Sequence, residues 1–364
     1  MIEKKHAKDN NGHNKQATLR LVAWETTRNC NLTCKHCRAS ASMGPFIGEL
    51  DTEKSFRFLD QIAEVGSPIV ILTGGEPLLR KDIFEIAGYG TNRGLKMVMA
   101  PNGTLINESV AAQMFDAGIK RISISIDGAD KESHDLFRGV EGAFEKAVRG
   151  AYIAKDAGIE FQINTTITKT NLDQIPAIQE LAIKMGAVAH HIFLLVPTGR
   201  GKYIADQEIN AEEYEKILNW FYDQREKTPL QLKATCAPHY YRILRQRAKK
   251  EGKTVTFKTH GMDALTRGCL GGTSFCFVSH TGIVQPCGFL SVNCGDITKN
   301  SFKDIWNTSK TFLELRNFDN LKGKCGACEY KNVCGGCRAR AYEATGDFFA
   351  EEPLCTYQPL NYHK

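Results

Sequence analysis

The chain has no run of about twenty apolar residues, so no membrane span is expected. Its first residues, Met1 to Ala17, lack the apolar stretch of a signal peptide and read as a disordered polar tail over 1–17. Strong charge is also missing. The formal net charge is +6 over 364 residues, partly carried by that tail, which argues against a nucleic-acid partner. Cysteine, by contrast, is abundant at thirteen residues. With no secretory signal, so many thiols argue against a disulfide framework and for metal ligation in a reducing cytoplasm. The 42% hydrophobic and 24% charged composition is that of an ordered protein with room for roughly two domains.

Three cysteines, Cys30, Cys34 and Cys37, follow the apolar run Leu21–Trp24 with the spacing C-x3-C-x2-C. Three thiolates hold three irons of a [4Fe–4S] cube and leave the fourth iron open. A redox cluster with one free coordination site is what chelating S-adenosylmethionine (SAM) and cleaving it reductively requires. The alternatives are a zinc knuckle or simple core thiols. Zinc sites usually show a second C-x2-C pair nearby, whereas the next cysteine here is Cys236.

From Leu21 to about Leu195, short β-rich runs alternate with segments of helical apolar spacing. Strands are expected at Leu21–Thr26, Ile69–Thr73, Lys96–Ala100, Arg121–Ile126, Glu160–Thr166 and His191–Leu195. Asp51 or Thr52 can cap the first helix. Apolar strands separated by crossover helices imply an α/β fold with a parallel sheet, and six such units suit an open, partial (β/α)6 barrel over 18–200. Ligand sites in such sheets form at the carboxyl ends of the strands, where the cysteine loop lies.

Other polar motifs end other strands. Thr73-Gly74-Gly75-Glu76-Pro77 closes the second, and its glycines allow close backbone approach while Glu76 can accept from an ammonium group. Asn102-Gly103 follows the third strand and Ser125-Ile126-Asp127-Gly128 the fourth. An ordinary turn is the competing explanation for each. Taken together, the C-x3-C-x2-C loop and the Gly-Gly-Glu-Pro motif resemble the radical SAM superfamily. That resemblance implies that Gly74, Gly75, Glu76 and Pro77 hold the methionine amino group of SAM. It further implies that Ser125, Asp127 and Asn164 touch the ribose or methionine part, with Asn102 at the same rim. Arg138 falls near the SAM carboxylate, which a guanidinium fork suits. His36 stands where many members carry an aromatic residue against the adenine, and Pro197–Arg200 lies on the adenine side.

Residues 201–260 read as a helical connection, with helices at Ala211–Thr228 and Ala237–Lys250. Cys236 and His239 are pocket candidates there, against the commoner structural role of a lone histidine. The basic run Arg242 to Lys250 is more often a solvated face than an anion site. From 261 to 364 the chain is cysteine-dense, and Gly282-x4-Cys287 followed by C-x2-C-x5-C-x2-C resembles the SPASM extension. By that resemblance Cys269, Cys276, Cys287 and Cys337 hold one auxiliary [4Fe–4S] cluster, and Cys325, Cys328, Cys334 and Cys355 another. The last close pair has two intervening residues where the usual pattern has three, and zinc remains the alternative for Cys325–Cys337.

Fully ligated auxiliary clusters favour electron transfer, hence net oxidation of a substrate radical. The contexts Trp24–Cys30 and Cys37–Ala41, with the tail Cys334–Tyr342, resemble the haem-modifying branch of the superfamily. Within it, the likeness is to the haem synthases of the alternative, sirohaem-dependent pathway. This implies oxidative decarboxylation of two propionates of iron-coproporphyrin III to vinyl groups, giving haem b, with a ferredoxin or flavodoxin as electron partner. Sibling chemistries stay open: removal of acetate from didecarboxysirohaem, or work on a haem d1 precursor. So does peptide maturation, although only a short polar tail precedes Leu21, and so does a zinc-dependent binding module.

Overall fold

The strands bury every second residue, as an apolar alternation on a pleated sheet requires. The computed structural model describes residues 17–360 and 362. The expected tail lies outside them except for Ala17, whose carbonyl accepts from Trp306 Nε1 at 2.9 Å. Val22 and Trp24 of β1 (Leu21–Glu25), Val70 and Leu72 of β2 (Ile69–Thr73) and Met97 and Met99 of β3 (Lys96–Met99) are buried. So are Ile122 and Ile124 of β4 (Arg121–Ser125). Their neighbours on the opposite face are mostly half-buried, which leaves that face for a site.

The sheet continues through β5 (Glu160–Ile167), β6 (Ala189–Leu194) and β7 (Gln231–Thr235), each parallel to the one before. All six expected strands are present. The seventh, β7, comes from the segment expected to be only a helical connection. On the other side β8 (Phe275–Val278) pairs in parallel with β1, then β9 (Ile283–Gln285) and β10 (Gly295–Asp296) follow antiparallel. The order is β10-β9-β8-β1-β2-β3-β4-β5-β6-β7, so the cysteine-rich region builds its first strands into the same sheet.

Helices cross over between the parallel strands. The first, Thr52–Val65, starts where Asp51 accepts from the Lys54 amide at 2.8 Å, a cap worth about 1 kcal/mol. Of the two expected caps, Asp51 serves. Thr52 instead donates its hydroxyl to Asp82 at 2.7 Å. Phe58 and Ile62 of this helix enter the core, where Phe58 meets the Trp24 ring edge-on at 5.2 Å. Among the described residues no helix is long and apolar enough to cross a membrane. Because β8 and β1 to β7 run in parallel, their carboxyl ends share one rim.

Candidate iron–sulfur and S-adenosylmethionine site

The segment after β1 is stitched to its neighbours before it reaches the cysteines. Thr27 accepts the Gly75 amide on its carbonyl at 2.8 Å, and Asn29 accepts that of Glu76 at 2.7 Å. A Cβ on Gly74 or Gly75 would strike the carbonyls of Thr27 and Asn29. The two glycines therefore serve a close approach of two protein backbones, a reason the motif alone does not reveal.

Cys30 and Cys34 are buried, and Cys37 is half-buried. A donor points at each sulfur: the Leu32 amide at Cys30 (3.4 Å), Arg138 Nη1 at Cys34 (3.5 Å) and the Ala41 amide at Cys37 (3.4 Å). Burial pushes the Cys30 thiol up to about 12, with Glu76 and the neighbouring Cys34 and Cys37 adding to the rise against the Leu32 amide. Burial also raises Cys34, against the pull of Arg138. Such crowded thiols keep their protons unless a bound metal supplies positive charge. Three thiols with a donor on each sulfur fit an open-sited cluster.

Around this loop stand the other expected residues. Glu76 is buried, and its two oxygens take the amides of Leu78 (3.0 Å) and Asn102 (2.6 Å). Burial raises its carboxyl to about 7 despite those two bonds. Pro77 opens the short turn that Glu76 caps. Asn102 donates to Asn31 at 2.8 Å and so ties the third strand's end to the cysteine loop. Asp127 is buried, accepts from the Thr166 amide at 2.6 Å and is ion-paired with Arg138. Arg138 is thus shared between Asp127 and Cys34, where the sequence pointed to a SAM carboxylate. The His36 ring stacks on Phe137, with centroids 4.4 Å apart, and lies 4.0 Å from Asp127. Ser125 and Asn164 face each other across β4 and β5 in register.

Two residues take roles that the motif reading did not give them. Arg200 donates from Nε to the Cys34 carbonyl (2.9 Å) and from Nη1 to that of Ala41 (2.5 Å), clamping the cysteine loop from the end of β6. Glu25 binds Arg28 (3.0 Å), Arg38 (3.1 Å) and His280 (3.0 Å). Burial raises its carboxyl, but these partners overcome that and hold it near 2. Both residues sit inside patterns that look like ordinary strand ends, so spacing carries no signal for them.

Towards the C-terminus, Cys325, Cys328, Cys334 and Cys355 line one cavity together with His239, Arg242 and Lys324. Their sulfurs also receive donors: Arg338 (3.5 Å) and the Glu352 amide (3.3 Å) on Cys325, Tyr330 on Cys328 (3.4 Å) and Gly336 on Cys334 (3.5 Å). The expected second set falls together.

The other expected set does not. Cys287 has Cys269 and Cys337 as charge neighbours, but Cys276 is fully buried in β8 beside Cys294. The reason is register: Cys276 lies opposite Val22 of β1 and shares the main apolar core with it. Among the described residues, no three His, Cys, Asp or Glu groups close on one point as around a single ion. In a cube each thiolate bonds a different iron.

Arg340 welds the two regions. It is buried, pairs with Glu208 (2.9 Å) and Glu352 (3.4 Å), and donates to the carbonyls of Leu195 (3.0 Å) and Cys236 (3.2 Å). Glu352 in turn accepts the Cys337 amide at 2.6 Å.

The radical SAM superfamily model matches residues 24–182, and that of the iron–sulfur cluster-binding (SPASM) domain matches 269–337. The fold is similar to that of Streptococcus suis SuiB bound to S-adenosylmethionine, with a TM-score of 0.73 at 18% identity over 94% of this chain and 78% of that one. Parallel sheet, cysteine loop and family matches thus define a radical SAM enzyme with a SPASM extension. The chain is 58% identical to the AdoMet-dependent heme synthase of Nitratidesulfovibrio vulgaris over 94% of this chain and 93% of that one. It is 54% identical to the protein of that name from Methanosarcina barkeri over 93% and 97%, and 30% identical to that organism's Fe-coproporphyrin III synthase over 94% and 90%. At this level of identity the chain belongs to the family of AdoMet-dependent haem synthases. The two domain matches imply SAM and [4Fe–4S] clusters as its cofactors.

Proposed function

We propose that this chain converts two propionates of iron-coproporphyrin III to vinyl groups by oxidative decarboxylation, forming haem b through a monovinyl intermediate. One observation carries the reading. Identity to proteins named heme synthase is 58% and 54% over nearly the whole chain, against 30% for the Fe-coproporphyrin III synthase.

Each propionate must give up a hydrogen atom from its β-carbon, CO2 and one electron. When bound, SAM and its cluster supply a 5′-deoxyadenosyl radical for the hydrogen, and auxiliary clusters supply a route for the electron. In this reading Cys30, Cys34 and Cys37 hold the SAM-binding cluster. Glu76 turns its remaining lone pairs to the SAM ammonium while its bonds to Leu78 and Asn102 fix its position. His36, Gly74, Gly75, Pro77, Asn102, Ser125, Asp127 and Asn164 complete the SAM site. Arg138 positions Asp127 and donates to a ligand sulfur.

Two auxiliary [4Fe–4S] clusters belong to this reading. Cys325, Cys328, Cys334 and Cys355 hold one; Cys269, Cys287 and Cys337 hold the other with a fourth thiol. A ferredoxin or flavodoxin delivers electrons in the cytoplasm, in keeping with thirteen free cysteines. The first six strands of the barrel lie within 18–200, and 201–260, which adds β7 to the same sheet, leads to a cluster domain over 261–364 whose β8 closes on β1.

The test is anaerobic turnover of the reconstituted protein with SAM, a reductant and iron-coproporphyrin III, followed by HPLC. A monovinyl species and then haem b are expected. Release of 5′-deoxyadenosine with the porphyrin intact would overturn the substrate and keep the radical chemistry.

A further inference from the structure

The thiols around Cys337 come from distant parts of the chain. Cys269 precedes β8, Cys287 follows β9, and Cys236 follows β7 at the far edge of the sheet. Since β7 runs parallel to β1, its carboxyl end delivers Cys236 to the same rim as the SAM-site loop. Cys236 and Cys287 pack with Cys337 against Val196, Leu290 and Ala339 in one small nest, separate from the main core. Each of the Cys236 and Cys337 thiols shifts the other's proton affinity, as groups in direct proximity do. Gly271, two residues after Cys269, brings its backbone against Cys287: a Cβ there would lie 3.7 Å from that of Cys287.

The backbone at Cys236 is built for this placement. Its φ of +55° lies in the left-handed region, which an L side chain rarely adopts and which strains the backbone there. Its carbonyl is held by the Tyr214 hydroxyl at 2.9 Å and Arg340 at 3.2 Å. Cys276 has no such freedom. It sits inside a strand paired on both sides and faces the main core.

We propose that Cys236 is the fourth ligand of the auxiliary cluster held by Cys269, Cys287 and Cys337, and that Cys276 is a core thiol. This ligand set joins the segment after β7 to the C-terminal region through the metal itself. It rests on the reading that a second auxiliary cluster exists.

Iron and acid-labile sulfide in the reconstituted full-length protein test both statements separately. Three [4Fe–4S] clusters correspond to roughly twelve irons per chain. Cys236→Ala is expected to lose about four irons, or to leave a three-iron form with its own EPR signal. Cys276→Ala is expected to keep the full complement. A full complement in Cys236→Ala, or a loss confined to Cys276→Ala, overturns the ligand assignment while the cluster count stands. A wild-type protein saturating at about eight irons overturns the second auxiliary cluster and this proposal with it. Should Cys236→Ala fail to fold, Cys236→Ser preserves the side-chain size. It is expected to shift the EPR spectrum of one cluster, and an unshifted spectrum overturns the assignment.

Discussion

Arg138 donates to Cys34 Sγ at 3.5 Å while its other terminal nitrogen pairs with the buried carboxylate of Asp127. One guanidinium thus connects a thiol of the cysteine loop to the segment after β4. A buried sulfur and a carboxylate share a single planar cation, a geometry that an ammonium does not reproduce.

Replacing it with lysine keeps the charge and loses the fork. Arg138→Lys is expected to reduce cluster retention or SAM cleavage by about 10–100-fold, as for partners that orient metal ligands. Arg138→Ala leaves Asp127 unpaired and is expected to cost about 3–5 kcal/mol of stability. Iron content and a thermal melt of both variants check this. Wild-type behaviour in both would remove Arg138 from the site.

Single alanine substitutions at Cys30, Cys34 and Cys37 should each abolish reductive SAM cleavage, read as 5′-deoxyadenosine. Retained cleavage in any one sinks the assignment of the cluster. Cys325→Ala should spare SAM cleavage more than porphyrin product. Equal loss of both would give that cysteine group a structural role instead.

Glu76 carries a pH signature. Burial holds its carboxyl near 7, against an ordinary value of 4.5. The folded state therefore binds a proton that the unfolded state has released, and stability falls as pH rises between those values. The contribution is full below about pH 4.5 and gone above about pH 7. Glu76→Gln cannot titrate, so the difference in melting temperature between variant and wild type should shift in the variant's favour from pH 5 to 7.5. A difference constant across that range would show that Glu76 is already ionised in the fold.

Arg340 is the buried cation between Glu208 and Glu352. Arg340→Ala strands two carboxylates and is expected to cost about 3–5 kcal/mol. Because Glu352 accepts the Cys337 amide, the same variant should also loosen iron held by the C-terminal cysteines. Iron released on dilution, compared with wild type, checks the second effect.

Much of the site was legible because its residues lie in local motifs at strand ends. Cys30, Cys34 and Cys37 are within one loop, and Glu76 follows two glycines whose small size the packing demands. Asp127 and Arg138 could be located along the chain, but their joint hold on Cys34 could not. The clamp Arg200 puts on the cysteine loop, and the ties of Glu25 to Arg38 and His280, were not legible, since those partners lie far away in sequence. The same holds for Cys276: its spacing suits a ligand, but its register in β8 places it opposite Val22 in the main core.

The sequence alone determined the cysteine spacings, the alternation of strands and helices, and the family. Those properties depend on residue identity and short spacing, which the chain carries directly. Only the tertiary structure decided that β7 and β8 flank the six expected strands in one sheet. It also decided which thiols meet. Strand register and crossover set those distances, and a residue such as Cys236 gains its neighbours only when the sheet is assembled.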